Sequence, residues 1–157
     1  SAIKNLSLHV EYNGGITASY PINNAWLAGV DYFMHTKDFK NTLNLKALYK
    51  NIKEKDSNVP MQFTAVWAMN DLFGVKGLKF DGFADFWWED HLVDFREDGT
   101  ADKKSTVFIT EPQLWYNVGQ HFGVDNLSLG TEIELSNNFG STGGFKCRPC
   151  LGVKWDF

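Results

Sequence analysis

Counted in steps of two, the C-terminal segment puts Phe145, Cys147, Pro149, Leu151, Val153, Trp155 and Phe157 on one side, and Lys146, Arg148, Cys150, Gly152, Lys154 and Asp156 on the other. A period of two with one apolar and one charged face predicts a β-strand lying between two different environments. The same alternation recurs along the chain and predicts about eight strands, near residues 5–13, 24–35, 42–52, 61–70, 78–89, 106–118, 126–137 and 145–157. Between them fall Asn13-Gly14-Gly15, Asp38, the run from Lys53 to Pro60, Gly74, Gly77, Glu97-Asp98-Gly99, Gly119, Gly123 and the stretch from Ser141 to Gly144, residue types that punctuate strands. No helical period is long enough for a βαβ unit, so the fold class is all-β, with antiparallel strands in up-and-down order.

Carrying the more apolar parity along each strand collects Leu6, Leu8 and Val10, then Val30, Leu45, Phe63, Phe80, Leu129, Ile133 and Leu151 among others on one face. Aromatic residues on that face sit toward strand ends, at Tyr12, Trp26, Tyr32, Tyr49, Trp88, Phe108, Tyr116, Trp155 and Phe157, with Leu, Val, Ala and Gly in much of the middle. A lipid-facing band between aromatic girdles has this order, because indole and phenol rings favour the headgroup level. A soluble lipocalin-like barrel would turn the apolar face inward instead, and alternation alone does not separate the two. The girdles and the terminal aromatic favour lipid on the outside. A strand ending on an aromatic residue resembles the closing strand of bacterial outer-membrane barrels, and that resemblance implies a transmembrane β-barrel in the outer membrane with Phe157 as the sorting signal for the outer-membrane assembly machinery. With Phe157 on the periplasmic side, connections near 14–23, 53–60, 90–105 and 139–144 are external and those near 36–41, 71–77 and 119–125 periplasmic. The longest then falls outside, as such barrels prefer.

Composition is consistent with this picture. At 157 residues the chain is read as a single domain over 1–157, and its aromatic content of 15% coexists with a mean hydropathy of −0.29. Alternating strands accommodate that combination, whereas no stretch approaches the roughly 20 apolar residues of a membrane-spanning helix. A net charge of −4 and a pI near 5.5 offer no basic stripe for nucleic acid. The chain opens at Ser1 without a leader-like segment and reads as a mature form or an excerpt. Cys147 and Cys150 point to opposite faces about 10 Å apart, too far for a disulfide, and two thiols do not complete a zinc site. No metal or cofactor is expected.

The complementary face is both charged and aromatic: His9 and Glu11; Asp31, Phe33 and His35; Asn44, Lys46 and Lys50; Gln62 and Thr64; Lys79, Asp81, Phe83, Asp85, Trp87 and Glu89; Glu111, Gln113 and Trp115; Glu132 and Glu134; Lys146, Arg148 and Lys154. One reading is a narrow barrel filled by its own salt-bridged network, with Glu132 and Glu134 neutralising Arg148 and Lys154. The other is a water-filled passage in which Phe33, Phe83, Trp87 and Trp115 offer stacking surfaces while Asp81, Asp85, Glu111, Glu132 and Glu134 orient a flat polar solute such as a nucleoside. These nine residues are the expected solute-facing set. An outer-membrane lipid-modifying enzyme is a weaker alternative. His9, His35, His91 and His121 are candidates for a triad, yet His91 and His121 fall in loops on opposite sides and no serine has a Gly-x-Ser-x-Gly context. No catalytic residue is assigned.

Four segments carry a family resemblance: Leu8-His9-Val10-Glu11-Tyr12-Asn13-Gly14-Gly15, Phe80-Asp81-Gly82-Phe83-Ala84-Asp85-Phe86-Trp87, Thr110-Glu111-Pro112-Gln113-Leu114-Trp115-Tyr116-Asn117 and Gly130-Thr131-Glu132-Ile133-Glu134-Leu135-Ser136-Asn137-Asn138. With the Gly-Val-Lys-Trp-Asp-Phe ending, they resemble the Tsx-like nucleoside-specific outer-membrane channel family. That resemblance implies passive diffusion of nucleosides through a barrel of about twelve strands. About four N-terminal strands of that pattern are absent, so these residues are expected to be the C-terminal part of a longer barrel or to close as a smaller one.

Overall fold

The computed structural model describes residues 2–16, 21–53 and 55–156. They form nine strands: β1 (Leu6–Ile16), β2 (Pro21–His35), β3 (Asn41–Ile52), β4 (Met61–Asn70), β5 (Leu78–Val93), β6 (Asp102–Thr110), β7 (Gln113–Tyr116), β8 (Leu127–Asn137) and β9 (Phe145–Trp155). Among the described residues, helical structure is confined to short 3-10 turns at Ala2–Asn5, Leu72–Gly74 and Gly119–His121. No helix among the described residues is long and apolar enough to cross a membrane. The expected role of Phe157 lies outside the described residues.

All nine strands belong to one antiparallel sheet. Most follow one another as a meander, and the departure from the expected pattern is at 106–118. That segment is two strands, β6 and β7, because Pro112 has no N–H to give to a ladder and breaks the pairing at Glu111-Pro112. Both pieces still fill one place in the sheet: β5 pairs with β6 through Ala84 to Val93 and with β7 through Leu78 to Asp81. β8 likewise pairs with both. At the other end of β5 the ladder runs further than alternation indicates, past a register shift between Trp88 and His91, to Val93 opposite Asp102. The long connection expected over 90–105 is therefore a protruding hairpin with its loop at 94–101.

The sheet curls without closing. Among the described residues β1 is paired to β2 alone and β9 to β8 alone. Its two faces follow the parity of the sequence. Leu8 (89%), Val10 (70%), Leu151 (87%) and Val153 (71%) are exposed, as are Trp26, Leu45, Phe63 and Leu129. On the opposite, concave side Asp31, Gln62, Trp87 and Ser136 are buried. Burying each exposed Leu or Val would gain about 1.5–3 kcal/mol, so an apolar convex face is a standing cost in water.

Candidate functional site

The concave side is built by register. Partners along successive ladders carry one row from Asp31 to Lys46, Thr64, Asp85, Ile109 and Ser136. Strands lie about 4.8 Å apart, so side chains in a row reach their neighbours. His9 Nε2 lies 2.9 Å from Glu11 and His9 Nδ1 3.8 Å from Asp31, while Lys46 is 4.0 Å from Glu11. Asn44 donates to Asp31 at 3.0 Å, and Thr64 Oγ1 and Gln62 Nε2 both donate to Asp85, at 2.5 and 3.3 Å.

Toward the end that carries the connections 53–60, 94–101 and 138–144, here the loop end, the polar row meets an apolar cluster. Lys50 Nζ donates to Gln62 Oε1 at 2.7 Å and stands 3.7 Å over the Trp87 ring, a cation–π contact in a low-dielectric setting. Trp87 Nε1 donates to Glu89 at 2.8 Å, and Glu89 also faces Lys55 at 3.7 Å. Beneath them Ala25, Leu27 and Leu48 form one buried cluster and Trp87, Val107 and Ile109 another, with Ile52 packed against both. The rest of the concave face toward the opposite, turn end is more open. There Lys79 pairs with Asp81 at 2.6 Å, while nearer the loop end Arg148 donates to Glu134. Asp81 Oδ1 and Asn44 Oδ1 are buried acceptors with no partner among the described residues.

Trp115 has a particular setting. Its indole lies against Gly130 and Gly152, since a Cβ on Gly130 would stand 2.5 Å from Trp115 Cε3 and one on Gly152 would stand 2.9 Å from Cη2. Two glycines on neighbouring strands thus give the ring room to lie along the wall. Trp115 Nε1 donates to Gln113 at 2.9 Å, and Lys154 Nζ is 5.9 Å from the ring centre. A half-buried ring in this position, flanked by a carboxamide and an ammonium, provides a stacking surface with hydrogen-bonding groups at its rim.

All nine residues expected to face a solute fall on the concave parity, but they do not meet at one point. Trp87, Asp85 and Phe83 belong with the loop-end cluster, where Phe83 packs against the buried group. Asp81, Trp115, Glu111 and Glu132 lie further toward the turn end, whereas Glu134, opposite Arg148, is on the loop side of the middle of β8. Glu111 is near enough to Glu132 and Glu134 for mutual repulsion. Phe33 stands apart on β2, its ring centre 5.6 Å from that of His35, which in turn stacks on Phe39 at 3.9 Å. The expected neutralisation is half realised: Glu134 meets Arg148, whereas Glu132 is opposite Cys150 in register and Lys154 pairs with Asp156 at 3.5 Å. Four strand positions separate Glu132's partner from Lys154, which is why the second pair does not form.

Among the described residues, the candidate histidines His91 and His121 stand at opposite ends of the sheet. His91 is buried on β5 with Nδ1 2.9 Å from the Glu89 carbonyl oxygen and Nε2 2.8 Å from that of Asn138. His121 contacts the Tyr116 hydroxyl at the opposite end. Alternation overlooked the apolar concave residues Leu27, Leu48, Ile52, Val107 and Ile109, although they share the parity of Asp31, Lys46 and Asp85. It gave no signal for Phe139, a loop residue whose ring meets Trp87 edge-on at 6.3 Å.

Among known families, the model described as Domain of unknown function (DUF5020) matches residues 2–157, and the chain belongs to that family. No curated protein and no solved structure matches it.

Proposed function

We propose that this member of the DUF5020 family is an outer-membrane β-barrel whose concave face lines a passage for small polar solutes, nucleosides foremost. The observation that carries the reading is the inverted distribution of the two faces: exposed aliphatic and aromatic side chains on the convex side, buried charge and aromatics on the concave one. Lipid on the convex side removes the cost of that exposure. The spacing of the aromatic ends supports it. Phe145 and Trp155 terminate the convex face of β9 ten residues apart. At about 3.3 Å per residue and a tilt of about 40°, ten residues climb roughly 25 Å, the height of an outer-membrane apolar band. Pairing of the free edges of β1 and β9 by further strands would complete a wider barrel, as the resemblance to Tsx-like channels implies, and would leave the turn-end half of the lumen open.

In such a passage solutes diffuse down their gradient and bind weakly on the way, because a site that holds tightly also delays release. Trp115 supplies the stacking surface, and Asp81, Glu111 and Glu132 accept from hydroxyls or amines. A second reading, a barrel filled by its own side chains and carrying no solute, draws on the Lys50–Trp87–Glu89 network and the apolar cluster beside it. Planar-bilayer recording separates them. Adenosine should produce concentration-dependent interruptions of current through the wild-type protein, and Trp115→Ala should weaken them. Absence of any conductance step would leave the filled barrel, and an unchanged block in Trp115→Ala would remove that ring from the path.

A further inference from the structure

The concave face is not equally open along its length, and the place where it is fullest has a movable part. At the loop end, a buried cluster of Leu27 and Leu48 on β2 and β3 and another of Trp87 and Val107 on β5 and β6 are bridged by Ile52, which packs against both. Above Trp87 the 138–144 connection between β8 and β9 sends one side chain inward. The Phe139 ring stands perpendicular to the Trp87 indole, at 89° with centroids 6.3 Å apart. We infer that Phe139 and Trp87 form the constriction of the passage and that Phe139 sets the size of solute admitted. This rests on the passage reading given above.

Phe139 is suited to that role by the way its loop is held. The two feet of the loop are pinned. Asn138 donates to the Thr106 carbonyl oxygen at 3.2 Å and its own carbonyl oxygen lies 2.8 Å from His91 Nε2. Gly143 N–H donates to Asp94 Oδ1 at 3.0 Å, and Asp94 N–H donates to the Ser141 carbonyl oxygen at 2.9 Å. A Cβ on Gly143 would fall 2.4 Å from Asp94 Oδ2, so this foot is also close-packed. Between the feet, Phe139 is 37% exposed and its ring meets one aromatic neighbour, Trp87. A rotation of one side chain, with the loop backbone in place, therefore uncovers the Trp87 edge. Lys50 lies over the Trp87 ring and Glu89 accepts from its indole N–H, with Gln62 and Asp85 next along the same wall, so a solute passing this layer meets rings and hydrogen-bonding groups side by side.

The test uses the full-length protein reconstituted into phospholipid vesicles, with swelling rates measured in a pentose, a hexose and a disaccharide. Relative to the pentose, disaccharide entry should rise at least about twofold in Phe139→Ala and fall in Phe139→Trp. Asp94→Ala frees one foot of the loop without altering the concave wall and should raise disaccharide entry in the same direction. It keeps the proposal testable if Phe139→Ala does not assemble, with circular dichroism and heat-modifiable gel mobility showing which variants are folded. Identical size profiles for folded wild type, Phe139 variants and Asp94→Ala would overturn the constriction while leaving the passage intact. No solute entry through any of them would overturn the passage reading, and the constriction with it.

Discussion

An arginine scan along the convex face of β8 distinguishes lipid from water as its surroundings, because only lipid makes the cost depend on depth. Ile133 is opposite Pro149, four residues from Phe145 and six from Trp155 in the paired strand, so it lies near the middle of the band between the aromatic ends. Leu129 is opposite Val153, two residues from Trp155, and 47% exposed. Two residues of tilted strand climb only about 5 Å, which puts Leu129 well below the midplane. Ile133→Arg should therefore cost about 2–4 kcal/mol and Leu129→Arg clearly less, near 1 kcal/mol. In water the cost would not depend on depth: exposed Leu129→Arg would fall within about 0.5 kcal/mol, and Ile133→Arg would cost only what the partial burial of that side chain carries. The assay is urea-dependent folding into short-chain phosphatidylcholine vesicles followed by tryptophan fluorescence, with Glu132→Gln on the concave side as the control for altered charge. Equal, small effects at 129 and 133 would refute the membrane assignment. A larger cost at 129 than at 133 would refute the placement of the band.

Two further outcomes follow from local geometry. Gly130→Ala puts a Cβ 2.4 Å from the Leu114 carbonyl oxygen and 2.5 Å from Trp115 Cε3, so the indole must leave the wall; overpacking should cost about 1–3 kcal/mol, and adenosine block should weaken as in Trp115→Ala. Unchanged stability and block would show that the ring does not depend on the glycine. At the turn end, Lys40 Nζ meets Asp71 Oδ2 at 2.6 Å and ties the 36–40 turn to the 71–77 turn. That hydrogen bond, with one from Gly77 N–H, holds the Asp71 carboxyl below the usual carboxylate range, and the carboxylate holds the Lys40 ammonium above its usual range. A depressed carboxyl stabilises the fold above its unfolded value and loses that contribution as pH falls through its folded value. Asp71→Asn should thus lower the thermal midpoint slightly at neutral pH and match wild type in acid below the Asp71 titration; a deficit that persists there would assign the effect to lost packing.

Parity explains how much of the candidate site was legible. Each of the nine expected residues is on the concave side because successive Cβ atoms alternate, whatever the rest of the chain does. The pairing of Glu134 with Arg148, and its failure between Glu132 and Lys154, required the register of β8 on β9, which alternation does not specify beyond even or odd. The split at Glu111-Pro112 was written in the chain as a residue without a donor, although the surrounding alternation masked it. The extension of β5 to Val93 had no such mark, because the register shift after Trp88 breaks the period that would have revealed it.

The sequence by itself determined the class of fold, the sites of most strands, and which side chains share a face, since all three rest on local backbone geometry and on residues that begin or end strands. The tertiary structure alone decided that Ile52 reaches both buried clusters, that Trp115 lies along Gly130 and Gly152, that the Phe139 ring meets Trp87, and that among the described residues β1 pairs with β2 alone and β9 with β8 alone. Those contacts join residues brought together by the curl of the sheet and the register of its ladders. Both are properties of many strands acting together, and neither has a period in the chain.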